Sequence, residues 1–497
     1  MGFHGSQRMG LQGLAAVRSR TSIPYVARAK LIAFYRYFTK AEKYNPSPNF
    51  PGVKPEDRGS SGPWITGHSV DPLAPVCQAA YQAFKTIVPE VSDINTPQGT
   101  AGVVQFIGNI DPNGRRVTTA TAYLTPNVLA RPNLTVAINM HVDKIVTKNV
   151  EGQGLRAVGV VVSTSPTSPS YGVCAKTEVI LSAGTVGTPQ LLLLSGVGPA
   201  AELEKLDIKV VHDSPAVGKN LSDHIGAGSL RFRAKPGYTW DYLRGMLSGA
   251  NTLLKFLLLS KGPFTTLCVP GAAFVRSDDP DLPFSSLASP GLPVKDNSSG
   301  PGVPDIEVLW APATVVGPGL QDPPAGSLGL TMLAINLRPE STGTITLKSK
   351  NSWDAPIIDA NYFASETDLN VVVRAVRLAQ RLARIEPLAS MLDLRPDSAD
   401  PKSIWWVGDV DPDAATDEDL KEFIRGNALP EYHPISTARM GLDPQDSVVD
   451  AELRVHGIKN LRVVDASVFP TQVTGHPCSV IIAIAEKASD MIKDTAT

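Results

Sequence analysis

Several things are missing from this chain, and each absence removes a class of function. Its four cysteines, Cys77, Cys174, Cys268 and Cys478, lie far apart and form no CxxC pair. That leaves no zinc-site or disulfide-rich pattern, although one or two structural disulfides stay open. His141, His212 and His456 share no ligand spacing with one another or with a cysteine, so no metal centre is expected. The apolar run from Leu253 to Leu259 is interrupted by Lys255 and falls far short of the roughly 20 residues that cross a bilayer. A transmembrane segment is therefore excluded. The formal charge of -2 gives no nucleic-acid footprint. Acids are absent before Glu42, while Arg8, Arg18, Arg20, Arg28, Lys30, Arg36 and Lys40 all precede it. Such a leader suits a mitochondrial targeting segment, yet Pro24, the apolar Leu31 to Phe34 and the aromatic Tyr35 to Phe38 suit folded protein equally well. Met1 to Arg18 lacks the apolar core of a secretory signal. Localisation stays unknown.

What is present is a chain of 497 residues, 42% apolar, long enough to bury a large core and to divide into two domains, interleaved or consecutive. Its 42 prolines and 41 glycines fall in no repeating period, which reads as many turns and long loops. Apolar residues at helical spacing from Pro72 to Ile87 predict a buried helix. Arg115 to Leu124 can open a helix ending near Ala130. Leu134 to Ile138, Val142 to Thr147 and Ala157 to Ser163 are rich in Val, Ile and Thr and predict short strands. Thr177 to Gly184 predicts a strand running into a helix at Thr188, with Thr188 as the cap and Pro189 in the first turn. A strand, glycine turn and helix of this kind is what an α/β nucleotide-binding domain places beside a cofactor.

From about 230 to 430 the pattern changes. An amphipathic helix is expected over Trp240 to Leu259 and a second over Asp368 to Arg384. Strands are expected at Pro304 to Trp310, Leu330 to Leu337 and Thr342 to Lys348, which together suggest an α+β lobe. Leu461 to Asp465 is a buried strand ending in an acid, and Ser479 to Lys493 is a helix apolar over most of its surface. The C-terminus is expected to fold back on the 130 to 225 region. The expected division is 1–66, leader and loop; 67–229, first part of a nucleotide-binding domain; 230–430, the substrate lobe; and 431–497, the rest of the first domain.

Five segments carry a resemblance. GTVGTPQLLLLSGVG (184–198), VGKNLSDH (217–224), YHPISTARMG (432–441), VVDAELRVHG (448–457) and LRVVDASVFP (461–470) resemble motif blocks of the glucose-methanol-choline oxidoreductase family, over about residues 70 to 497. The resemblance implies an α/β fold in which an FAD-binding Rossmann-like domain is interleaved with an α+β substrate lobe. It also implies hydride transfer from an alcohol CH–OH carbon to flavin, with O2 or a quinone as electron acceptor. The family pairs a histidine with a second residue, His or Asn, before the flavin ring, and the matching positions are His433 and His476. The resemblance further puts the Val142 backbone near adenine, Asp465 and Ala466 near the ribityl-pyrophosphate portion, and Pro477 by the ring. Asp223 and His224 are read as structural, in a block linking the two domains.

The chemistry of the pair can be stated without the family. Hydride leaves a carbinol readily only if its hydroxyl proton leaves too, so the site needs a base and a donor for the developing alkoxide. Histidine, with an ordinary pKa of about 6.5, serves as either. His433 is expected to be the base and His476 the oxyanion donor. Trp240, Trp310, Trp405 and Trp406 suit either the core or an apolar alcohol pocket.

A flavin domain ordinarily begins with a strand, a GxGxxG turn and a helix, and no GxGxxG stands in this sequence. Without that unit the chain is read as incomplete in its FAD-binding domain. It is then an N-terminally truncated enzyme, a catalytically inactive remnant that binds a partner or small molecule, or a chain complemented by another polypeptide. The helix at 479–493 and the strand at 177–182 would then expose apolar surface.

Overall fold

The computed structural model describes residues 35–95, 101–285, 292–298, 302–315, 323–396 and 406–496. The leader before residue 35, Trp405 and the glycines at 10 and 13 lie outside the described residues.

The largest sheet has six strands in the order Leu429–Pro430, Ile225–Arg233, Gly329–Asn336, Ile306–Ala311, Gly271–Val275 and Gly102–Gln105. Every neighbouring pair in it is antiparallel. Alternation along each strand assigns the two faces. Ile306, Val308 and Trp310, with Ala273, Val275, Leu330 and Met332, belong to the core shared with the helices. Leu309, Ala272, Phe274 and Ile335 form a smaller apolar cluster with Val104, against which Phe106 packs. Glu307 has the strand parity of Leu309, so it lies on the face away from the helices.

Helices Pro75–Phe84 and Glu366–Leu382 cover the first face. The longer one starts at Ser365, whose hydroxyl accepts from the Thr367 amide, and carries Glu366 and Asp368 in its first turn, where negative charge favours the helix. Phe84 stacks on Trp310 with ring centroids 5.2 Å apart. Burying a side chain of this size contributes about 1.5–3 kcal/mol.

A second core joins distant segments. Strands Val179–Leu181 and Leu461–Val463 pair in parallel, and Val480, Ile484 and Ala488 of the helix Cys478–Ala496 are buried in the same cluster as Leu181 and Val463. The C-terminus thus folds back on the earlier segment, giving a mixed α/β fold. The expected exposure divides: the helix buries these side chains, whereas Ile180 is 41% exposed. Residues 35–41 are helical, and Lys40 pairs with Asp490 at 2.9 Å, so the aromatic stretch at Tyr35 to Phe38 is folded protein. All four cysteines are free thiols.

Three local expectations need correction. Leu134 to Ile138 forms no strand; Val136 and Ile138 are exposed, and β-branched residues make a strand only where a neighbouring ladder receives them. The helix expected at Thr188 begins at Gly184, so Thr188 does not cap it and Pro189 lies inside it. Pro189 has no N–H for the Thr185 carbonyl, and the Thr437 hydroxyl donates to that oxygen instead, at 2.6 Å. Finally, the helix expected over Trp240 to Leu259 breaks at Gly245 into a short turn, Asp241–Arg244, and the helix Met246–Leu259. The expected division at 229/230 falls within the strand Ile225–Arg233.

Arg377 anchors the helical layer. It is 1% exposed and donates to Asp417 at 2.7 Å, with the carbonyls of Pro412 and Ala415 as further acceptors. Asp417→Ala leaves that guanidinium buried without its counter-charge and is expected to lower unfolding free energy by about 3 kcal/mol, measured by urea denaturation. An Arg377→Met/Asp417→Leu double variant should recover part of the loss.

Candidate active site

His433 and His476 meet. Their ring centroids are 4.8 Å apart and the planes cross at 73°. Backbone pairing explains how one side is assembled. Ile225 and Gly226 pair with Pro430 and Leu429, Glu431 N–H donates to the His224 carbonyl at 3.0 Å, and Ser222 bridges to Ile435. The stretch 222–226 therefore runs antiparallel to 429–435 and brings His224 beside His433. His476 arrives from the other side, between Gly475, with φ +124°, and Pro477 before the C-terminal helix. Phe106 meets its ring edge-on, with centroids 5.6 Å apart.

Three further residues complete the constellation. His224, fully buried, places its Nδ1 3.0 Å from His433 Nδ1 and its Nε2 3.0 Å from the Val473 carbonyl. Asp223 accepts from the His433 backbone N–H at 2.8 Å and from the Tyr362 hydroxyl at 3.0 Å. Glu307, 1% exposed, lies 3.1 Å from His476 Nε2, whose side chain is 43% exposed. Read as structural from the sequence, Asp223 and His224 are here in direct contact with the predicted base. Glu307 carried no sequence signal beyond a single acid in an apolar strand, Ile306 to Ala311, and that acid is the clue that could have found it.

These contacts order the protons. A carbonyl only accepts, so His224 carries its hydrogen on Nε2. Burial, and then the neighbouring imidazoles, hold His224 well below the ordinary histidine value, so the ring is neutral and its Nδ1 offers a lone pair. His433 must then donate from Nδ1, which leaves its Nε2 as the unprotonated nitrogen. Burial first, and His476 second, depress His433 to about 3. Desolvation also opposes charge on His476, but the carboxylates of Glu307 and Glu431 outweigh it and raise its pKa. Glu431 is itself pushed up to about 8 by burial and by Glu307. The pair thus favours one proton, held on His476.

The remaining predicted residues are Val142, Asp465, Ala466 and Pro477. Val142, in the strand His141–Val150, lines a cleft of about 550 Å³ together with Ile180, Ser182, Ala183 and Gly187. Thr185, in the first turn of the helix that begins at Gly184, donates to the Pro434 carbonyl at 2.6 Å, so the cleft wall is joined to the chain next to His433. Asp465 is buried and spends both oxygens inside the protein. One accepts from the Gly184 amide and the Thr188 hydroxyl at 3.0 and 2.6 Å, the other from the Ser467 amide and hydroxyl at 2.8 and 2.5 Å. Ala466 opens the short helix Ala466–Val468. Pro477 is buried beside His476.

Residues 72–226 and 339–485 match two family models, each described as GMC oxidoreductase. The chain belongs to this family. It is 45% identical over 470 residues to Dehydrogenase str4 from Strobilurus tenacellus, covering 93% of this chain and 75% of that one. It is 33% identical over 468 residues to the mitochondrial choline dehydrogenase of Mus musculus, covering 92% and 68%. Among solved structures, formate oxidase from Aspergillus oryzae RIB40 superposes with a TM-score of 0.78 at 26% identity, covering 93% and 78%. GMC oxidoreductases are FAD-dependent. The residues present fit such a cofactor at two points. Beside the histidines, the hydroxyls of Ser436 and Thr474 are buried without a partner among the described residues, as a polar group seated there would require. At the other end, the cleft at Val142 is walled by apolar side chains and small residues.

The sign of the pH dependence follows from the shifts. The raised pKa of His476 gives stability that is complete below the unfolded value, about 6.5, and is lost as pH rises through the higher folded value. His433 behaves oppositely: its stabilisation as a neutral ring is present above about 6.5 and lost as pH falls toward 3. Imidazole ¹⁵N NMR should find His476 protonating above about 6.5 and His433 still neutral there. Glu307→Gln should move the His476 midpoint down; if His433 takes the first proton, the order deduced from these contacts is wrong.

Proposed function

We propose that this chain oxidises the CH–OH carbon of an alcohol, and the observation that carries the reading is the T-shaped pairing of His433 and His476 with opposite proton preferences. FAD, when bound, supplies the hydride acceptor and passes the electrons on to O2 or a quinone. Its adenine end would be held by the Val142 backbone and the cleft, its middle by Asp465 and Ala466, and its ring end by Pro477 and the histidine pair. Because the Asp465 carboxylate is already used, its contribution there would be to shape the Gly184 turn.

The chain's own residues handle the proton and the oxygen. The Nε2 of His433 takes the hydroxyl proton of the alcohol, and His433 can do so because His224 keeps its hydrogen on the other nitrogen. His476, charged through Glu307, donates to the same oxygen and offsets the negative charge that develops as the proton departs. Asp223 fixes the His433 backbone. His433 and His476 are the catalytic residues, and His224 and Glu307 are positioning residues that set which ring is neutral and which is charged.

The competing reading, a remnant that binds a partner without oxidising anything, draws on the lack of GxGxxG in the sequence. One experiment separates the two. The purified chain supplied with FAD should take up the flavin's yellow colour, and anaerobic addition of a primary alcohol should bleach it. In His433→Ala the bleaching should slow by about 10²–10⁴-fold with the colour retained. A colourless protein overturns the enzyme reading and favours the remnant. His224→Leu should slow bleaching and move its pH profile, and His224→Asn, which keeps an acceptor beside His433 Nδ1, should restore part of the rate.

A further inference from the structure

The helix Met246–Leu259 stands with its apolar side outward. Met246, Leu247, Leu253, Leu254, Leu257 and Leu258 are between 47% and 87% exposed, and Thr252 alone in this helix is buried. At about 100° per residue these six, with Ala250, occupy one continuous arc, and Thr252 points away from it. Phe256 and Phe264 pack edge to face, with centroids 6.3 Å apart, and tie the helix to the turn that follows. A soluble helix ordinarily turns its leucines to the core, and among the described residues this face has no counterpart.

We propose that this face docks on an anionic lipid surface. The segment from Tyr242 to Ser277 contains no Asp or Glu, whereas Lys255 and Lys261 lie along it; Arg244, at its start, pairs with Asp241. Lys255 is exposed at the flank of the leucine arc and Lys261 is exposed just past the helix end. Leucines in the acyl boundary with lysines at the headgroups is the arrangement of a helix lying in a membrane interface. At 14 residues the helix is too short to cross, and no helix among the described residues is long and apolar enough to do so. A second copy of the chain suits the face less well, because the same segment on that copy would offer these lysines cations and no acid of its own.

The test is sedimentation of the full chain with phosphatidylcholine vesicles, with and without phosphatidylglycerol. Binding should appear with phosphatidylglycerol and weaken with salt. Both Leu254→Ser/Leu258→Ser and Lys255→Glu/Lys261→Glu should reduce it at least about tenfold, with melting temperature unchanged, since the replaced side chains are exposed. The proposal is overturned by a wild-type chain that stays in solution with anionic vesicles, or by variants that bind as well as wild type. It is equally overturned if the wild type is a dimer that Leu254→Ser/Leu258→Ser converts to monomer, which would make the face a contact between copies.

Discussion

The Val473 carbonyl can only accept a hydrogen bond, and the protonation of the site is ordered from that constraint outward. It holds the hydrogen of His224 on Nε2; the other nitrogen of His224 then accepts from His433; and His433 is left with its lone pair on the far side of its ring. No side chain in this relay needs an unusual intrinsic basicity. Burial keeps the two inner imidazoles neutral, because a charge there would lose its hydration and, among the described residues, no carboxylate bonds to either ring. The outermost ring, His476, is the one that meets a carboxylate, and it is the one that favours the proton.

That carboxylate depends on the sheet. Glu307 stands at the parity of the strand that faces away from the helices, between Ile306 and Val308, which are locked into the main core. A slip of one residue would carry the acid into the apolar layer and an isoleucine toward the site, so packing of the helices against one face enforces the chemistry of the other. A charge in this position is costly alone, and it is tolerated because His476 lies 3.1 Å away. The nearby Glu431 is shifted toward its neutral form by burial and by Glu307, and His476 offsets this only in part.

The loops around the histidines are bent in ways that ordinary residues avoid. Tyr432 and Ser436 have φ of +56° and +76° on either side of His433, and Gly475 has +124° before His476. Left-handed backbone at two non-glycine positions costs free energy that the surrounding contacts must offset. Here the Asp223 carboxylate grips the amide between them, and Thr185 holds the Pro434 carbonyl. Pro189 takes part at a distance: by leaving the Thr185 carbonyl free, it gives Thr437 an acceptor and fastens the helix at 184–194 to the same loop.

By itself the sequence determined the family, the helices whose apolar residues recur at regular spacing, and the fold-back of the C-terminal segment, because motifs and periodicity are written in consecutive residues; it also singled out two histidines whose rings the fold brings together. It misjudged Leu134 to Ile138, since strand propensity says nothing about whether a neighbouring strand exists, and it placed Thr188 and Pro189 at a helix start because both residues suit that position locally. The contacts of His224 and Glu307 with the two rings were decided only by the tertiary structure. Each makes a hydrogen bond to a residue more than a hundred positions away, and which nitrogen of an imidazole holds its proton depends on the atoms that face it in space.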